Sequence, residues 1–101
     1  MRSIKQGVNQ TVTVNLSFDP SILTALEIAF KQQGNTVVRK GLADCDIEGN
    51  SIRVALTQYD TLKFSPQRVS LALRGKYEDG GTVIAKDVPF LVERSSFEEA
   101  I

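Results

Sequence analysis

Thr11-Val12-Thr13-Val14-Asn15-Leu16-Ser17-Phe18 places an apolar residue at every even position and a polar one at every odd position. A β-strand turns successive side chains to opposite faces, so this stretch buries one face and wets the other. Its β-branched residues suit a pleated, half-buried surface. Asp19-Pro20-Ser21 ends it, because Pro20 lacks a ladder donor and Asp19 favours a turn.

The same period of two recurs downstream. Ile52, Val54 and Leu56 alternate with polar or small residues, as do Val69, Leu71 and Leu73 against Ser70, Ala72 and Arg74. Val88, Phe90 and Val92 repeat the pattern near the end, with Pro89 marking that strand as an edge or as bulged. Thr36 to Lys40 forms a further short strand. The turn pairs Gly34-Asn35 and Gly49-Asn50 and the run Asp79-Gly80-Gly81 separate these segments. Asp44 to Glu48 leads into the Gly49-Asn50 turn.

Ile22 to Gln33 is the ambiguous segment. Ile22, Leu23, Leu26 and Phe30 make a helical stripe from good helix formers, whereas Leu26, Ile28 and Phe30 alternate as a strand. A turn at Pro20 to Leu23 followed by a strand from about Thr24 to Gln33 agrees with the rest of the chain. The partly helical reading stays open as the alternative.

These segments predict an all-β, immunoglobulin-like, two-sheet antiparallel β-sandwich of about seven to eight strands, with turn signals at roughly 8–12-residue spacing. One short helical turn is expected near residues 58–63. The 101 residues allow a single domain, residues 1–94, with 95–101 as a flexible or partner-bound tail carrying Phe97 and Ile101.

Composition narrows the chemistry. Lys plus Arg and Asp plus Glu number 12 each, so no general charge draws the chain to nucleic acid or anionic membrane. No apolar run approaches the ~20 residues that span a bilayer, and the first residues carry no apolar signal core. There is no histidine, which removes the commonest acid/base and metal ligand. One cysteine, Cys45, excludes an internal disulfide and fits synthesis in a reducing compartment, the cytoplasm.

Each candidate for chemistry has a plainer reading. Asp44, Asp46 and Glu48 would share one strand face and could offer oxygen ligands to Ca²⁺, but without EF-hand spacing a solvated face is favoured. Cys45 lacks the histidine that would activate it and reads as a small apolar residue. Gly80-Gly81 lies between strands, with no helix start to hold a phosphate. Tyr59 could stack on a sugar; in a chain 7% aromatic and without Trp, a packing role with its hydroxyl bonded to nearby backbone is the better expectation. Arg68, Arg74, Lys76 and Arg94 are not interleaved with aromatics as a nucleic-acid platform would be. No catalytic residue and no cofactor is expected.

Three segments together resemble a family of small proteins from phages and prophages of Gram-positive bacteria. They are the opening Ile4-Lys5-Gln6-Gly7 before a Thr/Val-rich strand, the stretch Leu56-Thr57-Gln58-Tyr59-Asp60-Thr61-Leu62-Lys63-Phe64, similar to that group's "LTQxDTLxF", and the closing layout of a long strand, Asp79-Gly80 and a strand with Ala85. Lys86 departs from the group's small polar residue. The resemblance implies an immunoglobulin-like sandwich similar to the N-terminal domain of phage baseplate upper proteins. It also implies a non-enzymatic virion role as a tail, baseplate or head-decoration component. The expected partners are the chain itself or other virion proteins, with the virion as destination. A carbohydrate- or Ca²⁺-binding sandwich module is the rival expectation.

Overall fold

The alternation of residues 11–18 becomes a strand only as far as Asn15, three residues short of its expected end, in the computed structural model, which describes residues 2–94 apart from the side chains of 83–86. The strands are β1 (Arg2–Lys5), β2 (Gln10–Asn15), β3 (Leu23–Gln32), β4 (Asn35–Gly41), β5 (Cys45–Glu48), β6 (Ser51–Leu56), β7 (Arg68–Tyr77) and β8 (Thr82–Glu93). A single α-helical turn, α1 (Gln58–Leu62), connects β6 to β7, where one was expected. Two 3-10 turns, Pro20–Ile22 and Leu42–Asp44, precede β3 and β5.

The eight strands form an all-β sandwich. One sheet has five strands in the order β1-β8-β7-β3-β4, and the other has three in the order β2-β6-β5. All neighbours are antiparallel except β1 and β8, which run parallel with Arg2 opposite Phe90 and Lys5 opposite Glu93. Among the described residues that pair is the one departure from the antiparallel pairing expected of the two-sheet sandwich. The chain leaves β1 for β2 in the opposite sheet, so β1 has no hairpin partner and lies along the last strand instead.

Residues 22–33 form a turn and a strand. Ile22 is 53% exposed and Ile28 is fully buried, the reverse of what the helical stripe requires. The loop after β3 differs by one residue from its expected position. Gln32 pairs with Asn35, so Gln33-Gly34 are the central residues, and both have positive φ (53° and 81°). Two positive φ values match the right-handed twist of a tight hairpin. Pro89 lies just beyond a register shift in the β7–β8 ladder, between Leu71–Val88 and Leu73–Ala85. It also lies just before Phe90, the first β8 residue that β1 covers. The proline therefore sits where β8 has no second neighbour to accept its missing N–H.

The core fills the space between the sheets. Val12, Val14, Ile52, Val54 and Leu56 come from the smaller sheet, and Ile28, Phe30, Val69, Leu71, Leu73 and Phe90 from the larger, all buried. Phe30 and Phe64 meet with ring centroids 5.9 Å apart at 54°, a tilted arrangement that places a ring edge against a face. Ile4 of β1 is also fully buried. The expected tail, 95–101, lies outside the described residues.

Candidate functional site

The Leu56–Phe64 stretch is the most elaborately bonded part of the molecule. Thr57 caps α1: its Oγ1 accepts from the Asp60 N–H at 3.1 Å, and its own N–H donates to Asp60 Oδ2 at 2.9 Å. This reciprocal pair satisfies two N–H groups that a helix start would leave without partners. Lys40, from β4, donates to the same Asp60 Oδ2 at 2.8 Å. Burial would push the Asp60 carboxyl up. The Lys40 ammonium and the Thr57 donors outweigh it and hold the group below its ordinary value.

One residue on, Thr61 is fully buried. Its hydroxyl accepts from Gly7 N–H at 3.0 Å and shares its hydrogen between Val8 O (3.0 Å) and Gln58 O (3.1 Å). Gln58 N–H donates to Asn9 Oδ1, and the Gln6 side chain donates to Phe64 O. The segment thus ties the β1–β2 loop on one side and strand β4 on the other to the end of the sandwich. The side-chain groups named here are engaged with backbone or, for Lys40 and Asp60, also with each other.

Tyr59 is the exception in exposure, at 68%. The packing role expected for it is corrected. The cap turns Asp60 and Thr61 inward, and Tyr59, on the opposite side of a one-turn helix, faces water.

The acidic row does not assemble as a metal site. Asp44 sits in a 3-10 turn, where its Oδ2 accepts from Gly41 N–H at 2.9 Å. Glu48 pairs with Arg53 at 2.9 Å. Among the described residues, no three His, Cys, Asp or Glu side chains come together in a group that could hold a metal ion. Cys45 is half-buried, with its thiol donating to Gly41 O at 3.2 Å. Burial, then the Asp44 and Asp46 charges, pushes that thiol up, the wrong direction for a nucleophile. Gly80-Gly81 closes the β7–β8 hairpin, with Gly80 N–H donating to Tyr77 O at 3.0 Å and Tyr77 N–H to Gly81 O at 2.7 Å.

The basic residues are better organised than their spacing suggested. Arg68, Arg74 and Lys76 alternate along β7 on the face turned away from the core. Lys31 of β3 and Arg39 of β4 join them there. Glu27 lies among them, 2.9 Å from Arg74 and 3.8 Å from Arg39. The even spacing along β7 already carried this signal; the contribution of β3 and β4 depends on strand order, which the sequence does not print. Two further residues went unnoticed. Lys40 meets Asp60 across 20 positions of sequence. Gln32, 6% exposed, accepts from Ser65 N–H at 3.0 Å and donates to Ser65 O at 2.9 Å.

No family model, curated protein or solved structure matches this chain. No helix among the described residues is long and apolar enough to cross a membrane.

Proposed function

We propose that this chain is a non-enzymatic assembly domain of a phage or prophage particle, acting through contacts with copies of itself or with other virion proteins. The observation that carries this reading is the use made of the Leu56–Phe64 stretch. The positions shared with the phage group, among them Thr57, Gln58, Asp60, Thr61 and Phe64, are spent on capping, on the Lys40 ion pair and on the β1–β2 loop. The two positions that the shared pattern leaves open, Tyr59 and Lys63, are exposed. A motif used wholly for architecture supports a structural role for its bearer.

The strand order supports the immunoglobulin-like part of the reading. The β8-β7-β3 core of one sheet with β4 beside it, and β2-β6-β5 in the other, correspond to the two sheets of that architecture. An open sandwich also offers free backbone along β4 and along both margins of the smaller sheet, which neighbouring subunits can use.

Light scattering over a concentration series, with co-purification against the products of neighbouring genes, tests the proposal. A defined oligomer or a stoichiometric complex is the expected result. A chain that stays monomeric and binds none of those products rules it out.

A further inference from the structure

The two outer faces of the sandwich carry opposite charge. On the larger sheet, Lys31, Arg39, Arg68, Arg74 and Lys76 surround Glu27, with the exposed Asp87 of β8 as a second carboxylate, so the cations stay in excess. Glu27 is already held by Arg39 and Arg74. Among the described residues, no carboxylate lies within ion-pair distance of Lys31, Arg68 or Lys76. At the β1–β8 margin, Lys5 stands opposite Glu93, so that side balances itself. On the smaller sheet, Asp44, Asp46 and Glu48 meet one cation, Arg53, which is paired with Glu48.

Both faces have floors of short side chains. On the larger sheet, Ala29 and Ala72 are register partners, and with the side chains around them they form a shallow groove of about 300 Å³. On the smaller sheet, Thr11, Thr13 and Ala55 lie beside Asp44, Asp46 and Arg53. Short residues let two sheets approach, and long charged residues of opposite sign at the margins fix their register.

We infer that the cationic outer face of the larger sheet docks the acidic outer face of the smaller sheet of a second copy, stacking chains head to tail. This rests on the assembly reading above and names its partner. The faces lie on opposite sides of one sandwich, so a docked pair still offers one free face of each sign. Such a heterologous contact propagates into a ring or a filament instead of stopping at a dimer. The smaller sheet limits the footprint. Three strands about 4.8 Å apart, two of six residues and one of four at about 3.4 Å each, cover no more than roughly 300 Å², well below the ~800 Å² per partner of a stable complex. The contact is therefore weak, sensitive to salt and dependent on high local concentration.

Sedimentation and light scattering at low and high ionic strength provide the test, with two charge-reversal variants. One carries Lys31→Glu and Lys76→Glu, and the other Asp46→Lys and Glu48→Lys. Expected for the native chain is mass rising with concentration at low salt and returning to monomer at high salt. Each variant alone loses association at least tenfold. An equal mixture of the two regains it, because each then offers the face that the other lacks; a misfolded variant could not produce that rescue. A native chain that is monomeric at every concentration in low salt overturns the inference. So does association that neither reversal weakens, or a mixture that stays monomeric. If the native chain associates but ignores the reversals, or binds a neighbouring gene product while staying monomeric, the assembly reading survives and only this docking mode is lost.

Discussion

Lys40 Nζ lies 2.8 Å from Asp60 Oδ2, and their side chains are only 15% and 13% exposed. The pair joins an edge strand of the larger sheet to the helical turn that closes the end of the sandwich. Removing one partner leaves a largely buried charge behind. Asp60→Ala loses the pair and the Thr57 cap together, at a cost of about 3–4 kcal/mol. Lys40→Met keeps the cap and costs less. In a double-mutant cycle read by urea denaturation, the two changes should be less than additive by at least ~1 kcal/mol. Strict additivity would show that the pair contributes nothing.

The same carboxylate gives the protein an acid limit. The Asp60 pKa is held below its ordinary 3.8 in the folded chain, so it stabilises fully above that value. The stabilisation is lost as pH falls through the lowered folded value. Asp19, which accepts from Ser21 N–H at 2.9 Å, is shifted the same way by that bond. Unfolding free energy should be flat near neutrality and fall below about pH 4. Asp60→Asn should be less stable at neutral pH and show a shallower acid slope. An unchanged slope would assign the acid sensitivity to other carboxylates.

Gln32 holds both backbone groups of Ser65. Gln32→Leu preserves much of the volume but strands an N–H and a C=O, at about 1–3 kcal/mol each. For a domain of this size the two together lower Tm by roughly 10 °C or more. A shift under a few degrees would mean that water replaces the amide.

At Gly75 the expected fault is crowding. A Cβ there would stand 2.9 Å from Leu23 Cδ1 and 3.1 Å from Ala25 O. Gly75→Ala should destabilise by about 1–2 kcal/mol. Adding Leu23→Val should cost less than that change costs in the native background, since the shorter side chain relieves the clash. Independent effects in calorimetry would locate the cost elsewhere.

Cys45 should react slowly. Burial, with Asp44 and Asp46 beside it, keeps its thiol protonated. Alkylation at pH 8 should run several-fold slower than for free cysteine, and faster in an Asp44→Asn, Asp46→Asn variant. Rates equal to free cysteine would show that the thiol opens readily.

The strands whose apolar residues alternate cleanly were legible in the sequence. Val12 and Val14, Ile52 to Leu56 and Val69 to Leu73 are buried as their period requires. β1 was not legible as a strand: Arg-Ser-Ile-Lys offers one apolar residue, and a single Ile4 sets no period. Gln32 was misleading for a related reason. It closes the β3 alternation on the buried side, where a polar residue survives only because Ser65, 33 positions away, supplies its partners. The Lys40–Asp60 pair, and the addition of Lys31 and Arg39 to the cations spaced along β7, arise from strand order and not from spacing. The inward or outward sense of a residue can be read locally, but its neighbour across a sheet or an end loop cannot.

The parallel pairing of β1 with β8 has a mechanical consequence. The chain enters the domain along β1 and leaves it along β8, side by side and in the same direction. A pull on the two ends drags these strands past each other lengthwise. Their slanted bonds are then strained all at once, instead of parting one at a time as in an unzipping hairpin. Strung between two anchors, the domain would bear tension through this strip and fail abruptly, with the strip acting as a latch against stretching.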